Sequence, residues 1–229
     1  NVTLNGIPYN DAESQGTFLV NIPDFASSAG TIQVQRGVGT STNGAGAFGG
    51  SINVSTNEVI TQKGMQLNNT AGSYHTFKNT LILNSGICAK HYTIDGRLSN
   101  IRSDGYIDRA GSRLGSFYTS AAYVDKKKSL RMNIFSGREK TYQAWYGINE
   151  KTLGTNRTYN SAGTEKTGEP YDNEPDNYAQ THYQLFYNHK LNDRWKGNVA
   201  AFFTKGKGYY EQYKAEAALS DYGLPDYND

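Results

Sequence analysis

The sequence lacks what a disulfide-braced, metal-binding or catalytic protein would need. Cys88 is the only cysteine among 229 residues, so no disulfide and no cysteine metal site can form within the chain. Its plain reading is a small side chain near a strand end. The four histidines, at 75, 91, 182 and 189, show no metal-ligand spacing, and no Ser/His/Asp constellation or nucleophile elbow accompanies them. Neither catalysis, a metal nor a cofactor is expected. An excess of one charge is also missing, because 23 basic and 21 acidic side chains leave a formal net charge of +2. That balance gives no electrostatic footprint for nucleic acid. The one dense basic run, Lys126 to Lys128, reads as a solvated turn. Apolar residues reach only 36%, against ~45–50% in an ordinary soluble domain. No run approaches the ~20 apolar residues of a transmembrane helix, although a barrel strand needs only ~9–11 with alternate side chains facing lipid. No signal peptide opens the sequence. Val2-Thr3-Leu4 already reads as a strand entering the turn Asn5-Gly6-Ile7-Pro8, so the start is expected to lie inside a longer chain.

What is abundant is amphipathic rings and glycine. The chain has 18 Tyr, an aromatic fraction of 13% and 25 Gly, which a disordered chain would not carry. The composition points to β structure in which many strands keep one polar face.

Two textures meet near residue 60. Before it, short alternating pieces such as Thr31-Ile32-Gln33-Val34-Gln35 and Ser51-Ile52-Asn53-Val54-Ser55 flank a glycine-rich stretch from Gly37 to Gly50, which fits a small, loop-heavy α/β or β domain. After it, alternation continues segment by segment. Phe77, Leu81 and Leu83 oppose Lys78, Thr80 and Asn84; Tyr92, Ile94 and Leu98 oppose Thr93, Asp95, Arg97 and Ser99; Leu130, Met132 and Ile134 oppose Arg131 and Asn133. The same holds for Tyr183, Leu185 and Tyr187 against His182 and Gln184, and for Val199, Ala201 and Phe203 against Asn198 and Thr204. About seven strands are predicted, at 65–74, 76–86, 90–102, 114–124, 129–137, 179–191 and 195–205. Alternation alone also fits a soluble sandwich. The links favour another arrangement: those at 86–91, 125–128 and 192–194 are tight, whereas 103–113 and 138–178 are long and polar. Short and long links alternate in up-and-down transmembrane barrels. Tyr92, Tyr123, Tyr183 and Trp195 suit the aromatic girdles of such barrels. Seven strands do not close one, so further strands are expected beyond residue 229.

The segment Ile32-Gln33-Val34-Gln35-Arg36-Gly37-Val38-Gly39, followed by Asn43-Gly44-Ala45-Gly46-Ala47-Phe48-Gly49-Gly50-Ser51-Ile52-Asn53-Val54-Ser55-Thr56, resembles the end of the plug domain in TonB-dependent outer-membrane receptors. Leu4-Asn5-Gly6-Ile7-Pro8-Tyr9-Asn10-Asp11 is similar to the family's Asp-Gly-Ile-Pro-x-Asn segment, and Gly72-Ser73-Tyr74 and Ser103-Asp104-Gly105-Tyr106-Ile107 fall where such receptors begin their barrel. Val38 replaces the Pro often found after Arg-Gly, and Asn5 replaces the usual Asp. The resemblance implies a fragment of an all-β transmembrane barrel of about 22 strands, preceded by part of a small α/β plug. Residues 1–60 would be the C-terminal part of the plug and 61–229 the first strands and loops of the barrel. The implied function is energised import of a scarce solute such as siderophore-bound iron, haem or cobalamin, across the outer membrane of a Gram-negative bacterium. Implied partners are a periplasmic TonB-type protein, whose contact segment would lie outside this sequence, the solute, outer-membrane lipid and a surface lipoprotein. A passive porin or adhesin and a secreted sandwich are the competing classes.

Candidate sites follow. By the resemblance, Arg36 would pair with barrel glutamates and latch the plug. Gly37, Gly44, Gly46, Gly49 and Gly50 would let the plug backbone turn closely against the wall; the Gly44-x-Gly46-x-x-Gly49 pattern precedes a strand rather than a helix and so does not read as a dinucleotide loop. Tyr9, Asn10, Asp11 and Glu13 near the plug apex, and Tyr142, Trp145 and Tyr146 in the long loop, are candidates for gripping solute by stacking and hydrogen bonding.

Overall fold

A computed structural model describes residues 1–38 and 47–225. The first part forms a small mixed sheet of four strands, β1 (Val2–Leu4), β2 (Ile7–Pro8), β3 (Thr31–Arg36) and β4 (Gly50–Ser55), in the order β2-β1-β4-β3. Asn5 (φ 58°) and Gly6 (φ 80°) are both left-handed, which suits a two-residue hairpin between β1 and β2. β1 runs parallel to β4, and β3 antiparallel to it. The sequence between β2 and β3 makes two 3-10 turns, Leu19–Asn21 and Phe25–Ser28. The α part expected of this unit is absent among its described residues. Pro23 supplies no N–H and disfavours the helical region at Ile22, so the segment cannot wind past one turn.

The second part is one antiparallel sheet of seven strands: β5 (Lys63–Gly72), β6 (Thr76–Ser85), β7 (Tyr92–Ser103), β8 (Ser112–Val124), β9 (Lys128–Tyr142), β10 (Pro175–Lys190) and β11 (Lys196–Tyr210). Each pairs with its sequence neighbours, leaving β5 and β11 as the edges. A short helix, α1 (Glu150–Thr155), sits between β9 and β10 and is capped by the Asn149 side chain, which accepts from the Thr152 N–H. At one end of the sheet the links are 86–91, 125–127 and 191–195; at the other they are 73–75, 104–111 and 143–174. Short and long links therefore alternate as expected, with 73–75 the exception. β9 and β10 run further than the hydrophobic pattern predicts, so the long loop is 143–174 and Tyr142 belongs to a strand.

Register aligns the side chains in rows. On one face, Leu81, Leu98 and Phe117 lie opposite one another, as do Tyr92, Tyr123, Leu130 and Tyr187 further down. Most of these residues are exposed, Leu98 at 59% and Tyr92 at 52%, while Leu81 and Tyr123 are half-buried. On the other face, Arg97, Tyr118, Phe135 and His182 form one row and Asp95, Ser120, Asn133 and Gln184 the next. All eight are buried, Asn133 completely. The sheet is thus inverted relative to a water-soluble protein, which buries its oily face and wets its polar one. Tyr92 and Tyr123 pack edge-on, with ring centroids 5.4 Å apart, at strand ends. Tyr183, expected in an aromatic girdle, lies mid-strand in β10.

Candidate functional site

The small sheet packs on the polar face, and the seam is the first functional element. Its apolar part is small: Phe25 reaches the rings of Phe135 at 4.8 Å and Tyr118 at 6.4 Å, with Leu4, Tyr9 and Ile22 in the same buried cluster. Most of the rest is hydrogen-bonded, as burial of polar groups favours, although Thr93 Oγ1 and His182 Nε2 are buried without a partner. The Asn5 amide donates to Gln184 Oε1 at 2.8 Å, Asn133 to Asn57 Oδ1 at 2.9 Å, the Tyr118 hydroxyl to Thr56 Oγ1 at 3.1 Å and Ser116 to the Pro23 carbonyl at 2.5 Å. Gly137 on β9 lets the backbone of the small unit come close. A Cβ there would lie 2.0 Å from the Asn21 carbonyl oxygen.

Asp24 is the charged anchor of this seam. It sits between the two 3-10 turns at φ 57°, and its side chain is 3% exposed. One oxygen accepts from Lys78 of β6 and from Ser27 at 2.5 Å; the other accepts from Thr80 at 2.7 Å and Ser99 at 2.7 Å. The Arg97 guanidinium stands 3.6 Å away and is itself held by Ser28 at 2.6 Å and Ser116 at 2.9 Å. Burial pushes the Asp24 carboxyl up, but hydrogen bonds from Lys78, Ser27, Thr80 and Ser99 outweigh it and hold the group at about 2. Asp24 is therefore ionised at neutral pH and ties the small sheet to β6 and β7.

The second element is a cavity of about 790 Å³ between the small unit and the sheet, at the long-loop end. Tyr9, Asp11 and Phe18 line it from one side; Glu139, Trp145, Asp176 and Tyr178 line it from the other. Asp11 is kept low by hydrogen bonds from the Ser14 N–H, the Ser14 hydroxyl and the Glu13 N–H. Burial, with Tyr178 and Glu139 adding to it, raises the Tyr9 phenol well above its ordinary value. Its hydroxyl donates to the Phe18 carbonyl at 2.7 Å, so Tyr9 offers the cavity its ring rather than its OH.

The structure thus brings Tyr9, Asp11 and Trp145 to one cavity and distributes the other candidates elsewhere. Asn10 braces the small sheet, accepting from the Val2 N–H at 2.8 Å. Glu13 does not line the cavity; its N–H caps Asp11. Tyr142 donates to the Tyr171 carbonyl and lies under Arg109, 5.8 Å from ring to guanidinium carbon. Tyr146 bonds Gln143 and Gln212. Arg36 ends β3, exposed, opposite Gly50, and forms no ion pair among the described residues. Gly37 (φ 73°) and Gly50 (φ 155°) occupy backbone conformations that favour glycine, and a Cβ on Gly50 would press on the Gln35 carbonyl at 2.9 Å. Nothing lies within 4 Å of where a Gly49 Cβ would be, and Gly44 and Gly46 fall outside the described residues. Sequence reasoning missed Asp24, Glu139, Asp176 and Tyr178.

An inverted antiparallel sheet with a small mixed sheet seated on its polar face is the fold of TonB-dependent outer-membrane receptors. Among solved structures, the chain is similar to the ferric-catecholate import receptor Fiu from E. coli K12, at 16% identity and TM-score 0.69, over 91% of this chain and 32% of that one. The ferric citrate transporter FecA matches at 19% identity and TM-score 0.68 over 93% and 32%, and the alcaligin receptor FauA from Bordetella pertussis at 12% and 0.64 over 93% and 31%. The likeness is one of fold, and the chain spans about a third of the length of these structures. No family model matches the sequence, and no match is found among curated proteins.

Proposed function

We propose that the chain is the C-terminal part of a plug, residues 1–60, and the first strands of a transmembrane barrel, residues 61–229, in a TonB-dependent importer of the outer membrane. The observation that carries this reading is the inversion of the sheet. The oily rows span residues 92 to 98 of β7, roughly 20 Å along the strand, which is on the scale of the ~25 Å apolar band of outer-membrane barrels. A secreted sandwich would bury those rows, and a porin would have no small sheet anchored to its polar wall. The long-loop end faces outward, so the cavity beneath it is the solute vestibule. Its lining by this chain holds three carboxylates and no basic side chain, which favours a large, scarce solute presenting hydrogen-bond donors or positive charge beside its metal chelate or ring system. The solved receptors above are named for ferric catecholate, ferric citrate and alcaligin, which supports an iron chelate over the haem or cobalamin that the resemblance also allows. Asp24 is the inner latch of the plug, and Arg36 is proposed as a second one.

Uptake by the full-length protein is expected to require a TonB-type periplasmic partner and an energised inner membrane. Undiminished uptake without that partner would make the protein a passive porin. Within the vestibule, Trp145→Ala should weaken solute binding about tenfold, as loss of a ring at the centre of a contact does, while Tyr142→Ala should leave it unchanged. Equilibrium binding to detergent-solubilised protein distinguishes the two. Equal losses for both would mean that the loop, not the cavity, makes the contact.

A further inference from the structure

We propose that the outward face of the sheet, just above its oily rows, binds the phosphorylated headgroup of a membrane lipid. The site is built by register. Arg102 of β7 lies directly opposite Arg113 of β8, which lies directly opposite Lys140 of β9. Three cations therefore stand in one row across strands about 4.8 Å apart. By the two-residue period they share the face of Leu98, Phe117 and Met132, away from the small sheet. The next row toward the oily band adds Arg138, between Gly115 and Ala179.

Like charges directly opposite one another destabilise a sheet, and nothing on that face of the strands offsets them. The only acidic residues in the seven strands are Asp95, Glu139 and Asp176, and all three fall on the opposite face by the same period. Above the row, Arg109 completes a cavity of about 990 Å³ with Arg102, Arg113 and Lys140. The guanidinium of Arg102 is held 4.7 Å from the Phe77 ring centroid. Two loop carboxylates, Asp104 and Asp172, reach the cavity, and Asp104 is engaged by His75 at 2.6 Å. Four fixed cations against two carboxylates leave an excess of two positive charges, His75 uncounted.

The inward vestibule has the opposite sign, so a solute following that path has no use for this surface. A lipid does. On β7 the row at Arg102 is the second same-face row beyond Leu98, with Asn100 between them, at the depth of a headgroup and at the long-loop end. Guanidinium forks fit phosphate oxygens two at a time, and clustered cations beside membrane-spanning segments bind anionic headgroups. The inference rests on the proposed reading of the outward face as lipid-facing.

The test uses the full-length protein in a nonionic detergent, with native mass spectrometry after addition of a bis-phosphorylated glucosamine glycolipid (lipid A) or its phosphate-free counterpart. The phosphorylated lipid should be retained and the phosphate-free one lost. Arg113→Gln with Lys140→Gln should weaken retention about thirtyfold, Arg113→Lys should largely keep it, and Lys126→Gln with Lys127→Gln at the other rim should change nothing. Equal retention of the two lipids, full retention by the Gln pair, or displacement by inorganic phosphate at equal concentration would each overturn the proposal. Detergent dependence of the same preparation is read separately: a protein soluble without detergent refutes the barrel reading, whereas a detergent-dependent one that ignores the lipid refutes only this site.

Discussion

Asp24→Asn in the full-length protein is expected to loosen the small sheet from the strands by about 3 kcal/mol, the cost of breaking a buried ion pair from one side. Asn keeps the shape but removes the charge that Lys78 and Arg97 face, and Arg97, 2% exposed, is left a buried cation without its carboxylate. Hydrogen exchange of the amides from Leu19 to Ser28 should quicken, and passive conductance through the protein should rise. Unchanged protection there would remove Asp24 from its role as anchor. The acid response has a defined sign. Asp24 titrates at about 2 in the folded protein rather than at 3.8, so its contribution is complete above pH ~4 and is lost as pH falls toward 2. That difference corresponds to about 2 kcal/mol. Wild type and Asp24→Asn should therefore differ in thermal stability at pH 5 and converge near pH 2. A gap that stays constant across this range would show that the carboxylate charge is not what the wall binds.

The second large effect is expected at Gly137. An added Cβ would lie 2.0 Å from the Asn21 carbonyl oxygen and 2.7 Å from Pro23 Cδ. Both atoms belong to backbone or to a ring with little freedom, so no rotamer change relieves the clash. To restore even a tight contact of 3.0 Å, the Leu19–Asn21 turn must retreat by about 1 Å. Gly137→Ala should cost about 3 kcal/mol, the upper end of ordinary overpacking, and should free the same amides as Asp24→Asn. Gly115→Ala is the matched control, because Gly115 lies on the neighbouring strand with nothing within 4 Å. Comparable losses for the two alanines would point to strand propensity rather than to the seam.

How much of this was legible beforehand depends on the range of the interaction. Strand positions were readable because the two-residue period is local: Leu130, Met132 and Ile134 against Arg131 and Asn133 fix a face without reference to any partner. The upper ends of β9 and β10 were not readable, and the reason is physical. Beyond the oily rows, outward positions turn polar, as at Arg138 and Lys140, so the alternation fades while the hydrogen-bonded ladder continues to Tyr142. The resemblance pointed to Arg36 as an anchoring charge; among the described residues, the ion pairs that join the small unit to the strands are those of Asp24 with Lys78 and Arg97. Asp24 in Ile22-Pro23-Asp24-Phe25 looks like any turn carboxylate, since its partners lie 54, 56 and 75 residues away. Glu139 was hidden for a similar reason: inside Arg138-Glu139-Lys140 it reads as one of three solvated charges, and only the strand period sends it inward while its neighbours face out.

The composition of the contact between the two sheets bears on how they would part. Apart from the Phe25 cluster and the His182 ring stacked on it, it is made of amides, hydroxyls and one ionic knot, most of them linked by directional bonds that water can replace group by group. Net values near 1 kcal/mol per neutral bond mean that wetting from one edge releases the contact in small steps, whereas an oily contact of equal size would resist until its whole area opened at once. A mechanical load on the small sheet would then meet a series of low barriers, with the Asp24 knot as the highest and the aromatic cluster as the pivot left in place.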